Sequence, residues 1–183
     1  MQNNHPWYAL FVKPQKERTV ETILRQRQFE TFSPSIVEHR PYSDRVKKVE
    51  TPLFPSYVFC RFDAMADRLA VLTVPGVSSI AGFGRQASPV EEEEVAALMR
   101  VTGSGAKVDR WEYVSQGDEV EIMTGSMAGV RGIFIEVKGS ARVVLSVELL
   151  KRSIAVELDR SSVRPLTGIG SDLVRKTTAG GIQ

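Results

Sequence analysis

The sequence predicts an α+β protein with two unlike halves. The first is a ferredoxin-like unit, a four-stranded antiparallel sheet with helices on one face. The second is a small all-β unit that closes into an SH3-like barrel. Three observations predict this. Up to about residue 101, extended and amphipathic stretches follow one another in the order β-α-β-β-α-β-α. From about Val114 onward, apolar residues alternate strictly with polar ones and glycines fall between the runs. Between them, Val101-Thr102-Gly103-Ser104-Gly105-Ala106-Lys107 has the composition of a connection. The expected division is therefore 1–100, a linker at 101–113, a second domain at 114–166, and a frayed Gly-, Ser- and Thr-rich tail at 167–183.

Each element has a local reason. Trp7 to Val12 is aromatic and β-branched enough for a strand. Gln15 to Phe29 fits a helix, since Val20, Ile23 and Leu24 share one face. Thr31 to Pro41 has strand character broken by Pro34. Lys47 to Phe62 is an extended run whose Pro52 and Pro55 suit bends or an edge. Ala64 to Thr73 reads as a short helix, Pro75-Gly76 as a turn and Val77 to Ala81 as a strand. The next helix has a capping signature: Ser88 as cap, Pro89 at the first position and Glu91 completing a capping box. Glu91 to Glu94 then lie where the helix dipole favours negative charge, and Val95, Leu98 and Met99 form the buried stripe. In the second half, Val120 and Ile122, then Ile133, Ile135 and Val137, then Val143, Leu145 and Val147, then Ile154, Val156 and Leu158 each occupy one face of a strand. Closing such a sheet removes its exposed edges.

Composition narrows the function. The 183 residues are 42% apolar and 25% charged, ordinary for a folded chain of one domain or two small ones. No apolar run approaches the ~20 residues of a membrane span, and the first residues lack a secretory pattern, so the cytoplasm is the expected compartment. A single cysteine, Cys60, can form neither an internal disulfide nor a cysteine zinc site. With 24 basic and 22 acidic residues, the net charge of +2 does not by itself imply nucleic acid.

Catalytic chemistry finds no purchase. His5 and His39 belong to no nucleophile-base constellation, and Cys60 sits in a strand pattern as a small core residue. Gly82-Phe83-Gly84-Arg85-Gln86-Ala87 matches a relaxed dinucleotide fingerprint, but no parallel β-α-β unit surrounds it. The glutamate run is a helix start rather than a metal site. No catalytic residue, metal or cofactor is expected. Two basic clusters remain: Lys13, Lys16, Arg18, Arg25 and Arg27 about the first helix, and Arg40, Arg45, Lys47 and Lys48 at a hairpin tip. Either a solvated face or phosphate contact explains them. The aromatic run Pro52-Leu53-Phe54-Pro55-Ser56-Tyr57-Val58-Phe59 is either core or an apolar surface for a partner.

These residues resemble a known family. Trp7-Tyr8 opening a strand, the run Pro52 to Phe59, and Pro75-Gly76-Val77 resemble the N-terminal (NGN) domain of NusG-type transcription elongation factors. Gly117-Asp118-Glu119-Val120-Glu121-Ile122 followed by Gly125, Gly129 and Gly132 resembles the KOW module of the same family. The resemblance covers residues from about 7 to 166. Ser43-Asp44-Arg45, Lys47-Lys48-Val49-Glu50 and the Pro-Leu-Phe-Pro-Ser-Tyr run look most like the specialised UpxY and RfaH paralogues. Housekeeping NusG usually has Gly where Ser56 stands and often an aromatic where Met127 stands.

The resemblance implies a non-enzymatic, monomeric factor that docks on the clamp helices of bacterial RNA polymerase, favours the closed clamp and suppresses pausing or termination. It places the clamp-facing patch at Tyr8, Phe54, Tyr57, Phe59, Ala81 and Phe83, and a contact to the second large subunit at Asp67, Arg68 and Leu69. Lys13, Lys16, Arg18, Arg45, Lys47 and Lys48 would face the upstream or non-template DNA. Met127, Val130, Leu149 and Arg152 match the KOW surface that meets the ribosomal protein NusE or the factor Rho; simple barrel packing is the alternative for Val130 and Leu149. The resting second domain is expected as a β barrel rather than as helices. The rival reading is an RNA-binding, ribosome-associated KOW protein, which would lack the first domain.

Overall fold

The computed structural model describes residues 5–41, 46–84, 86–114, 116–137 and 139–166. Strand β1 (Trp7–Val12) becomes the centre of the first sheet. Helix α1 (Glu17–Gln26) follows, with Val20 and Leu24 buried at the predicted spacing. Pro34 divides the next stretch into β2 (Glu30–Phe32) and β3 (Ser35–Pro41). The long extended run likewise splits, into β4 (Val46–Pro52) and β5 (Tyr57–Arg61). Then come α2 (Arg68–Leu72), β6 (Val77–Ile80), β7 (Gly82–Phe83), β8 (Gln86–Ala87), β9 (Pro89–Val90) and α3 (Glu92–Gly103).

Helix α2 is shorter than the sequence predicts. Asp63 accepts the N–H groups of Met65 and Ala66 at 2.8 and 3.1 Å, forming an Asx turn where helix was expected. The start of α3 is also displaced. Pro89 and Val90 pair with Tyr8 and Trp7 instead of opening a helix, and the Ser88 N–H donates to the Ala81 carbonyl. Glu91 becomes the N-cap without a side-chain capping bond, so the Ser88 capping box does not form. Glu92, Glu93 and Glu94 still occupy the first turn, where the dipole favours them.

All pairings in the first sheet are antiparallel. The order is β2-β5-β1, and the far edge of β1 is shared by β6 and β9, giving five strands rather than four. Strands β3 and β4 form a separate two-stranded ladder, and β7 and β8 a minimal hairpin. The register sorts the side chains: Tyr8 lies opposite Cys60, Ala9 opposite Phe59, Leu10 opposite Val58 and Phe11 opposite Tyr57. One face therefore carries Tyr8, Leu10, Val12, Val58 and Cys60, which are buried with Val20 and Leu24 of α1 and Val71 of α2. The other face carries Trp7, Ala9 and Phe59, buried with Val95, Leu98 and Val101 of α3. The helices thus lie on both faces, not on one.

The second half holds β10 (Val108–Trp111), β11 (Asp118–Ile122), β12 (Arg131–Val137), β13 (Ser140–Val147), β14 (Arg152–Glu157) and β15 (Val163–Pro165). The stretch expected as a linker contains the end of α3 and all of β10. The order is β10-β14-β13-β12-β11-β15, every pair antiparallel. Among the described residues β10 and β15 do not pair with each other, so the sheet is open where closure was expected. The reason lies on its apolar face. Val120, Ile122, Val130, Val143, Leu145, Val147, Ile154 and Val156 join Trp7, Phe54, Phe59, Val95 and Leu98 in a single buried cluster. The first unit covers that face, and closure is not needed to shield it. Gly132 allows the β12–β13 approach: a Cβ there would lie 2.5 Å from the Val144 carbonyl oxygen.

Leu98 is 1% exposed in this shared cluster. Leu98→Ala is expected to cost about 2–5 kcal/mol. Denaturant unfolding followed by separate probes in the two halves should show both transitions shifted; a shift confined to the first half would contradict the shared core.

Candidate functional site

The aromatic face is shaped by the turn at 53–56. The Leu53 N–H donates to the Pro34 carbonyl at 2.8 Å and the Tyr57 N–H to the Phe54 carbonyl at 3.1 Å. Ser56 takes a left-handed φ of 67°, unusual for a residue with a Cβ. Two bonds hold it there. Its N–H donates to Glu17 Oε1 at 2.8 Å, and its carbonyl accepts the Val12 N–H at 2.9 Å. The buried Glu17 carboxylate is thereby given a partner on the turn.

The turn delivers a run of rings. Phe54 packs edge-on against Phe59, with centroids 5.8 Å apart, and Phe59 stacks on Phe32 at 6.2 Å. Tyr57 meets Phe11 edge-on at 5.5 Å. Ala81 is half-buried against the same cluster. Phe83 stands apart on the β7–β8 hairpin, 78% exposed. Tyr8 does not join this face. It points to the face covered by α1 and α2 and packs on Phe62 at 4.7 Å, because period two gives it the parity of Leu10 rather than of Ala9. The same parity would have selected Trp7 and Phe11, which sequence reasoning passed over. Trp7 sits beneath Arg61, whose guanidinium is 4.9 Å from the ring and pairs with Glu30 and Glu92.

The second sheet is laid over this face. Met127 and Leu149 pack against the shared cluster, and Val130 is buried within it. Arg152 lies with its guanidinium 5.0 Å from the Tyr57 ring centroid and donates from Nη1 to the Pro55 carbonyl at 3.2 Å. Arg100 donates to the Ala128 carbonyl, and the Glu148 N–H donates to Glu94 Oε1 at 3.1 Å. The two surfaces expected to meet different partners therefore meet each other. A groove of about 640 Å³ remains between α3 and the second sheet, with Glu93, Glu94, Arg100, Ile133 and Glu148 among its walls.

Comparison with known proteins decides the family. The family model described as "Transcription termination factor nusG" matches residues 5–99, just over half of the chain. The chain belongs to the NusG family. A solved structure, "Domain interaction in Thermotoga maritima NusG", is 20% identical, with a TM-score of 0.52 over 90% of this chain and 98% of that one. An MjSpt4:Spt5 complex (conformation B) is 18% identical, with a TM-score of 0.33 over 88% of this chain and 97% of that chain. NusG-family proteins are transcription factors.

Against this aromatic face, the other expected residues are dispersed. Asp67 caps α2, with Arg68 and Leu69 exposed beside it. Lys13 and Lys16 are exposed before α1. Arg18 is exposed and pairs with Glu50 of β4 at 2.9 Å, tying α1 to the two-stranded ladder. Lys47 and Lys48 are exposed on β4, and Arg45 lies outside the described residues. Burial pushes the Cys60 thiol up to about 12, so it is not a thiolate nucleophile at neutral pH. Among the described residues no group of three or more His, Cys, Asp or Glu could hold a metal, and no helix is long and apolar enough to cross a membrane.

Glu94 gives the domain contact a pH dependence. Burial raises its pKa above the ordinary 4.5, outweighing the bond from the Glu148 N–H, and the neighbouring Glu91 and Glu148 push the same way. A raised carboxyl pKa means that the folded form favours the proton. Its contribution to stability is present at low pH and lost as pH rises through the raised value. Glu94→Gln, which keeps the acceptor without the charge, is expected to unfold at higher denaturant than the parent chain at neutral pH. That advantage should vanish below about pH 4.5; an advantage independent of pH would assign the effect elsewhere.

Proposed function

We propose that this NusG-family chain is a transcription elongation and antitermination factor. It binds the clamp helices of bacterial RNA polymerase through the aromatic face at Phe54, Tyr57 and Phe59, with Phe11 and Phe83 at its rim. The observation that carries the reading is a run of rings fixed on a rigid sheet by a turn with a non-glycine left-handed residue. Large rings held by a rigid scaffold are the usual anchors of a protein interface. Bridging the polymerase cleft would bind one clamp position better than the other and shift the population toward the closed clamp, with no covalent step.

The remaining roles follow from position. Asp67, Arg68 and Leu69 stand at the exposed start of α2 for a second-subunit contact. Lys13, Lys16 and Arg18, with Lys47 and Lys48 on the ladder, face solvent and can neutralise phosphates of upstream or non-template DNA. The second sheet is the KOW module, with Met127, Val130, Leu149 and Arg152 as its partner surface for NusE or Rho once it leaves the aromatic face. Ser56 at a left-handed position, where a housekeeping sequence would carry glycine, favours the specialised paralogue. The ribosome-associated alternative is not favoured, since the family match falls on the domain such a protein would lack.

Titrating labelled protein with a purified bacterial elongation complex tests the reading. Saturable binding is expected, displaced by excess clamp-helix fragment; no binding would overturn it. Phe83 is 78% exposed, so Phe83→Ala should leave the fold intact. It should weaken binding by about 1–3 kcal/mol, and unchanged affinity would remove the β7–β8 hairpin from the surface. Replacing Lys13, Lys16 and Arg18 together by Ala should flatten the dependence of affinity on salt. An unaltered slope would return these residues to a solvated face.

A further inference from the structure

The groove between α3 and the second sheet is apolar along its floor and acidic on both walls. Glu119 of β11 lies opposite Ile133 of β12, and Ile133 opposite Val144 of β13, so these residues form a line across three strands. All three border the groove, and Ala96 and Ala97 of α3 face them. Ile133 was expected on the buried side of its strand. It borders the groove instead and is only half-buried, while Phe134 packs on the shared cluster.

The charges of the groove are not balanced from within. Glu93, Glu94, Glu119 and Glu148 border it, against Arg100 and Arg131. Glu94 accepts the Glu148 N–H, and the Glu148 carboxylate is taken up by Lys151 and the Tyr113 hydroxyl. Among the described residues, neither Glu93 on α3 nor Glu119 on β11 forms an ion pair. The chemistry that complements such a groove is an apolar segment carrying positive charge.

The described chain ends on the wall of this groove. The Leu166 N–H donates to the Glu119 carbonyl at 2.9 Å, and Leu166 is part of the lining. Residues 167–183, expected as a frayed tail, lie outside the described residues. They carry Ile169, Leu173 and Val174, followed by Arg175 and Lys176. In an extended segment Ile169, Leu173 and Arg175 project to one side and Asp172 to the other. From β11 to β13 is two strand spacings, about 10 Å. The three residues from Leu166 to Ile169 already reach about that far when extended.

We propose that the groove is a docking site for the chain's own residues 167–183, with Ile169 and Leu173 over Ile133, Val144 and Ala97, and Arg175 beside Glu93. The occupant covers the apolar floor, supplies the missing positive charge to α3, and turns Asp172 away from the acidic walls. A segment attached at the rim of a groove meets it at an effective concentration of about millimolar, so modest contacts suffice to hold it. The proposal does not depend on polymerase binding and adds a second intramolecular surface to the chain.

The test uses the full, isotope-labelled chain with Gly170→Cys carrying a nitroxide. Cys60, buried and with its thiol pushed up to about 12, stays unlabelled. The amide signals of Ala97, Gly132 and Ile133 are expected to be lost to broadening, while those of α1, on the opposite face of the first sheet from α3, stay sharp. Sharp signals at the groove, or broadening spread evenly over both regions, would overturn the docking. Glu93 is exposed, so Glu93→Arg should keep the fold. It should restore the groove signals by repelling Arg175, and adding Arg175→Glu should broaden them again. Broadening unmoved by Glu93→Arg would overturn the pairing of Arg175 with Glu93. In a mixture of nitroxide-bearing chain without isotope and isotope-labelled chain without nitroxide, the groove signals should stay sharp. Broadening there would assign the groove to the tail of a second copy and overturn the intramolecular site. Removal of residues 167–183 should shift the same amides, and unshifted signals would likewise overturn it.

Discussion

Everything in this structure depends on one shared apolar cluster. The first sheet has two apolar faces, and only one is covered by α1 and α2. The second sheet has one apolar face and open ends. Neither exposed face could rest in water without a large cost. They are placed against each other, with the stripe of Val95, Leu98 and Val101 between them. Helix α3 is therefore structural mortar for both units, although by sequence it belongs to the first. The open second sheet is a consequence of the same burial. A sheet covered by a neighbour need not curl to hide its own core.

The aromatic face depends on a second, more local constraint. Ser56 is held in a left-handed conformation that costs roughly 1–2 kcal/mol for a residue with a Cβ. Glu17, buried on α1, offsets this by accepting the Ser56 N–H. That bond joins α1 to the turn that presents Phe54 and Tyr57. A carboxylate on one face thus helps to position rings on the other. Loss of either partner would leave a buried polar group unsatisfied, so the turn geometry is determined from both sides.

Much of the fold could be read from the residues because it is written in short periods. Val20 and Leu24 gave the face of α1, and the alternation from Val120 to Val156 gave the buried sides of β11, β13 and β14; on β12 it is Phe134, opposite Val143, that packs on the shared cluster, not the expected Ile133, Ile135 and Val137. Pro34 and Pro55 marked breaks that the chain does make. The failures share a cause. Ser88-Pro89 carries a good helix-start signal, yet its backbone groups are worth more as a strand edge beside Trp7 and Tyr8, a contact more than eighty residues away in sequence. Ala64 was expected to open a helix, yet the preceding Asp63 holds a turn there. The face of Tyr8 was misplaced even though parity could have fixed it, because the grouping came from resemblance rather than from counting along the strand. The meeting of Arg152 with Tyr57 had no local signal at all, since nothing within one strand reports what a neighbouring unit lays on top of it.

The arrangement separates two kinds of interaction that the proposed function needs. Phe54 and Phe59 are buried and Tyr57 is half-buried, whereas Lys13, Lys16, Arg18, Lys47 and Lys48 all stay in solvent. Long-range attraction to phosphates acts before any contact and does not require the units to part. Apolar docking acts only at contact. A chain built this way would be gathered near the polymerase by its charges while its adhesive face stayed shielded. Shielding has its own value for a freely diffusing protein, because an exposed strip of Phe54, Tyr57, Phe59 and α3 would be a site for indiscriminate association.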